Sequence, residues 1–143
     1  MDVWPTFWTR MVELIRSGQV FSVDKVKDEI ERGGDELTDW IRSNAPAGFF
    51  LATDAATMAK YSYTQNWAQN NPVGFTPPAL VEYAQVADAY LVATAAAKSM
   101  TLVTNERSEP YRRNRVKIPD ACAGIGVQCC DLNTVLRDLG ISI

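Results

Sequence analysis

Between Glu82 and Lys98 the chain carries one charged side chain, Asp88, in the setting QVADAYLVATAAA. A carboxylate inside so apolar a helix loses solvation unless something compensates it. Asp88 therefore reads either as a functional acid or as an ordinary cap reaching solvent at the helix start. Glu106 follows the apolar run TLVT, at what should be the carboxyl end of a parallel strand. Open α/β sheets place their sites at that edge, although loops are also rich in solvated glutamates. Glu29 is a third acid, on a helical stretch where it lies about 60° from Val26 at the border of the apolar stripe, a place where rim residues are common. Asp28 falls on the opposite, solvated face.

The 143 residues include no histidine, which removes His bases, Ser-His and Cys-His nucleophiles and His-containing zinc sites. Carboxylates with a divalent cation lead the chemistry that remains. The thiols Cys122, Cys129 and Cys130 show no C-x-x-C spacing and read as reduced, partly buried core residues. Seventeen acidic against fourteen basic side chains leave a net charge of −3, so any contact with a polyanion must be local. Arg107, Arg112, Arg113, Arg115 and Lys117 form the one such concentration, just after Glu106. They read equally as a phosphate-binding segment and as a solvated loop paired to nearby acids such as Glu109. Trp4, Phe7, Trp8 and Trp40 stand at helical spacings and read as core or partner-facing residues rather than base-stacking platforms.

The elements that must position these residues can be read from periodicity and punctuation. Helices are predicted over 4–17, over 23–31 with Ser22 as cap, in a short stretch opened by Asp35, over 54–70, from Thr76 through Tyr83, over 86–98 and over 133–139. Buried strands are predicted within 47–51, 101–104 and 125–129, with 105–119 as a polar loop. Short apolar strands alternating with helices imply an α/β sandwich with a mainly parallel sheet, formed as a single domain over 1–143. Asp2, Pro5 and Arg10 interrupt any apolar segment near the start, and Ala89–Ala97 is too short to span a bilayer, so no membrane association and a cytoplasmic location are expected.

The ordered blocks DVWPTFWTRM, SGQVFSVDKVKDEI, DELTDW, ADAYLVATAAA, TLVTNE, RVKIPDAC and GIGVQCCDLNTVLRDLGI resemble the PIN-like proteins of the bacterial DUF4411 family over essentially the whole length. The resemblance implies a three-layer α/β/α PIN-type sandwich. It also implies a metal-dependent ribonuclease of the kind that serves as toxin in toxin–antitoxin pairs, with RNA as substrate and a protein antitoxin as partner. Carried over block by block, its catalytic and Mg²⁺- or Mn²⁺-binding acids are Glu29, Asp88 and Glu106. Thr104 would orient substrate or a water, and Arg107, Arg112, Arg113 and Arg115 would hold the RNA backbone.

Family members begin with a strand ending in an aspartate, of the form D-T-N, before the helix that opens at P-x-F-W. This sequence starts almost at that helix, with Asp2 matching a residue just before it, so the first strand and one acidic ligand are expected to be missing. Two readings follow: an active ribonuclease, or a catalytically impaired PIN-like module that binds an antitoxin, a second copy of itself or RNA without cutting. Open strand edges and the Trp-rich first helix make a homodimer one expectation of the second.

Overall fold

A computed structural model describes residues 5–140 of the chain; Asp2 and Trp4 lie outside the described residues. Among the described residues two compact units are formed, 5–52 with 133–140 and 53–132.

In the first unit, α1 (Pro5–Arg16) buries Leu14 and Ile15, and the edge of the Trp8 ring meets Trp40 at 5.1 Å. Strand β1 (Ser22–Val23) runs straight into α2 (Asp24–Gly33). Ser22 was expected to cap that helix; it pairs with a strand instead, and Val23 holds the cap position without a side-chain hydrogen bond. Gly34 then takes the left-handed conformation at φ +60, which stops α2 at little steric cost. Asp35 caps α3 (Glu36–Asn44) by accepting from the N–H groups of Leu37 and Thr38, as the sequence predicts. The buried Thr38 hydroxyl donates to the Ile30 carbonyl at 2.6 Å and ties α3 to α2. Strand β2 (Phe50–Leu51) lies parallel to β1 in the register Ser22↔Phe50 and Val23↔Leu51.

The second unit is built around α6 (Ala87–Lys98), whose Ala87, Ala89, Val92, Ala93, Thr94 and Ala95 are buried. Alanine on so many faces lets α4 (Ala55–Gln69) and α7 (Ile118–Ile125) lie close against it. Helix α5 (Pro77–Gln85) begins as predicted at Thr76, whose hydroxyl accepts from the Ala79 N–H. The helices α4 and α5 are joined by side-chain hydrogen bonds: Tyr61 Oη donates to the Ala84 carbonyl at 2.6 Å, and the Thr64 and Tyr83 hydroxyls share one at 2.8 Å. Tyr83, Ala89, Val92, Leu102, Val116, Ile118, Ala121 and Cys122 form the core of this unit.

Strand β3 (Leu102–Val103) pairs in parallel with β4 (Cys129–Cys130), through Leu102↔Cys129 and Val103↔Cys130. The sequence placed this last strand over 125–129 and read 105–119 as loop. The residues after 117 instead make α7, because Pro119 suits a first helical turn and Gly126 at φ +79 supplies the left-handed stop. Helix α8 (Leu132–Asp138) closes the described chain with Leu136 buried. The architecture is thus mixed α/β, with eight helices and two small parallel sheets among the described residues. No helix among those residues is long and apolar enough to cross a membrane.

Candidate functional site

Ser99, at φ 54, ends α6 in a left-handed turn, and only a few residues separate the helix from β3. So short a connection makes β3 double back along the helix it packs against. Asp88 lies near the amino end of α6, and the loop that follows β3 carries Glu106.

Asp88 lies in the first turn of α6 and is half-buried. It is not the cap: Val86 occupies that position and makes no side-chain hydrogen bond. A carboxylate in the first turn is favoured by the helix dipole, which offsets part of its lost solvation. Its charge is felt by Tyr83, whose phenol is held well above its ordinary value, chiefly by burial and further by Cys122 and Asp88. Burial, reinforced by Cys129, pushes the Cys122 thiol up to about 12, so it is a protonated core group rather than a ligand or nucleophile.

Glu106 stands three residues past β3. Thr104 extends the ladder, its N–H donating to the Cys130 carbonyl at 2.9 Å, and its hydroxyl accepts the Glu106 N–H at 3.1 Å. Thr104, expected to orient substrate or a water, also shapes the backbone under Glu106. The Glu106 carboxylate faces cations from its own loop, with Lys117 Nζ at 3.5 Å and Arg115 at 3.9 Å, and it accepts the Ile118 N–H at 3.5 Å.

The basic loop is folded onto its own acids. Arg112 pairs with Glu109 at 3.1 Å, and this contact, ahead of the charge of Lys117, holds the Glu109 carboxyl below its ordinary value. Lys117 bridges Glu106 and Glu109, while Arg113 donates from Nε to the Gly74 carbonyl at 2.9 Å. Asp120 accepts from the Ser108 hydroxyl and from the Glu109 N–H. Arg107 is exposed and makes no ion pair among the described residues. The sequence reading missed Asp120; the signal was available in I-P-D, where the acid after a first-turn proline sits at a helix start and can reach back to a preceding loop.

Glu29 is exposed on α2, in the first unit. Among the described residues no group of three or more acids or thiols is gathered that could hold a metal ion. The second unit contains the carboxylates of Asp88 and Glu106, both oxygen donors, and Glu106 already rests against the Lys117 ammonium. Mg²⁺ uses one or two protein carboxylates, several waters and substrate phosphate, so the donor set fits a hard divalent cation in kind.

The family model described as a domain of unknown function, DUF4411, matches residues 1–143. The chain belongs to the DUF4411 family. No curated protein and no solved structure matches it. Within this DUF4411 chain the blocks ADAYLVATAAA and TLVTNE thus correspond to α6 and to β3 with its following loop.

Proposed function

We propose that this DUF4411 protein is a PIN-like ribonuclease of the toxin type that cuts RNA phosphodiesters with Mg²⁺ or Mn²⁺, its fold being a PIN-type α/β/α sandwich. What supports the reading is the position of Asp88 in the first turn of α6 and of Glu106 just beyond β3, in a chain of the DUF4411 family. Asp88 and Glu106 are the residues of the second unit that would hold the cation; Glu29, the third acid of the PIN-like pattern, belongs to the first unit. A bound divalent ion supplies Lewis acidity and a water of lowered pKa. The chain's own part is positional. Thr104 fixes the backbone from which Glu106 projects, the α6 dipole favours an acid at the position of Asp88, and Arg107 offers a guanidinium to the RNA backbone beside Glu106. The partners that accompany this reading are RNA and a protein antitoxin.

The test is cleavage of labelled single-stranded RNA in MnCl2 or MgCl2 by the full chain and by Asp88→Asn and Glu106→Gln. Metal-dependent fragments from wild type, reduced by about a hundredfold or more in each variant, are expected for loss of a charge-stabilising group. Equal cleavage by wild type and Asp88→Asn would refute Asp88 as a metal ligand. A second reading, RNA or partner binding without cutting, is favoured by one observation: Glu106 is already counter-charged by Lys117 and Arg115. RNA retained by wild type with no fragments in either metal would select it.

A further inference from the structure

Tyr111 is 89% exposed, more than any other large hydrophobic side chain among the described residues, and makes no ring contact or hydrogen bond with them. The backbone that carries it is fixed on both sides. The Arg112 N–H donates to the Glu109 carbonyl at 3.0 Å and closes a four-residue turn, with Pro110 in the second position, where its locked φ is favoured. Before the turn, the Glu109 N–H donates to Asp120 at 2.8 Å; across it, Arg112 pairs with Glu109 at 3.1 Å. After it, the Thr76 N–H donates to the Arg113 carbonyl and Arg113 Nε to the Gly74 carbonyl, each at 2.9 Å. A flexible tip would lose conformational freedom on meeting a ligand, whereas this one has already lost it. The same loop holds the two arginines whose charge no acid offsets, Arg107 and Arg113. An aromatic face for stacking beside guanidinium charge for phosphate suits a nucleic-acid strand whose bases are unpaired, because a duplex hides the base faces.

We propose that Tyr111, displayed by the Glu109–Arg112 turn, is a stacking platform for an unpaired base of single-stranded RNA, with Arg107 and Arg113 meeting the phosphates of the same strand. The inference rests on the RNA-binding part of the ribonuclease reading and needs neither its metal nor its chemistry. The ring engages a base through its face and reads no hydrogen-bonding edge, so it tolerates every base. Stacking and charge then separate in salt, since only the arginines release counterions.

The experiment is fluorescence anisotropy of a labelled single-stranded RNA of about ten nucleotides, and of the same strand with its bases removed, titrated in EDTA with the full chain as wild type, Tyr111→Ala, Tyr111→Leu and Tyr111→Phe. Tyr111→Ala and Tyr111→Leu are expected to bind the intact strand about tenfold more weakly than wild type, while Tyr111→Phe keeps its affinity. On the abasic strand all of these proteins should bind alike. The log–log salt slope of Tyr111→Ala should equal that of wild type, and so should its Tm, because the side chain touches nothing in the fold. Unchanged affinity in Tyr111→Ala, full binding by Tyr111→Leu, or a loss of the same size on the abasic strand overturns the proposal and leaves the ribonuclease reading as it was. Absence of RNA binding by wild type overturns both. The expected loss of binding, with no cleavage by any of these proteins in MnCl2 or MgCl2, leaves the stacking platform standing and removes the ribonuclease.

Discussion

Gly124→Ala sets two effects of opposite sign against each other. Gly124 lies inside α7 without a positive φ, where alanine should stabilise a helix by about 0.5–1 kcal/mol. Packing opposes that gain, since a Cβ at 124 would fall within the van der Waals envelope of Trp67 Nε1 and Cε2, and 2.8 Å from Cδ1. The indole would have to retreat by more than about 1 Å to recover ordinary carbon contacts. It is not a loose end: Trp67 packs against the core of the second unit and lies beside Phe75 with ring centroids 6.0 Å apart. Overpacking of this kind costs about 1–3 kcal/mol, and a rigid ring with little room puts this case in the upper half of that range. Net destabilisation of about 1–2 kcal/mol follows, which for a chain of this size lowers Tm by roughly 3–7 °C. Thermal unfolding by far-UV circular dichroism measures it, with Trp67→Leu and the double variant completing a cycle. A Tm at or above wild type, or a Gly124→Ala penalty undiminished in the Trp67→Leu background, would refute the reasoning.

Three further outcomes are expected. Asp54 caps α4, and its carboxyl is held down to about 2, first by the Thr57 N–H and then by Lys98 at 3.1 Å. A depressed folded pKa stabilises above the unfolded value and is lost as pH falls through the folded one, so the Tm gap between wild type and Asp54→Ala should be full near neutrality and close between pH 3.8 and about 2. Tyr83→Phe should cost about 1–2 kcal/mol in urea unfolding by leaving the buried Thr64 hydroxyl without its partner. It should also lessen the loss of stability above pH 10.0, where the unfolded chain's phenol ionises before the raised, folded one. Arg107→Ala should weaken RNA binding and flatten its log–log salt dependence by about one unit with Tm unchanged. Arg113→Ala should lower Tm, because it removes the bond to the Gly74 carbonyl; equal Tm for the two variants would contradict these roles.

The helices with side-chain caps were legible because their signals are local. Asp35 and Thr76 announce α3 and α5 through hydrogen bonds reaching only two or three residues ahead, and the structure makes those bonds. Strand β1 was not legible: Ser22 and Val23 are strand residues only because Phe50 and Leu51 come alongside, a pairing that no local pattern encodes. Helix α7 failed for a different reason. Its few residues are too short to show a helical period, and IGVQC imitates a buried strand as readily as a helix end with a left-handed glycine. Asp88 was legible as an oddity, a lone charge in an apolar run, whereas its place in the first turn rather than at the cap depended on where α5 stops, at Val86.

The loop after Glu106 shows why composition alone leaves two readings open. Residues 106–120 carry five bases, Arg107, Arg112, Arg113, Arg115 and Lys117, and three acids, Glu106, Glu109 and Asp120. A loop that only solvated its charges would have no reason to enclose one of them, yet Lys117 is enclosed between Glu106 and Glu109, and Val116 beside it is buried. A loop that only gripped RNA would leave its arginines uncommitted, yet Arg112 and Arg115 face acids. The loop divides residue by residue. Five bases against three acids leave two positive charges, and the geometry assigns them: Arg107 has no ion pair among the described residues, and Arg113 is bound to a neutral carbonyl that leaves its charge uncompensated. The remaining cations serve the acids. Arg107 and Arg113 are therefore the cations this loop leaves for an anionic partner, while Lys117 and Arg115 face Glu106.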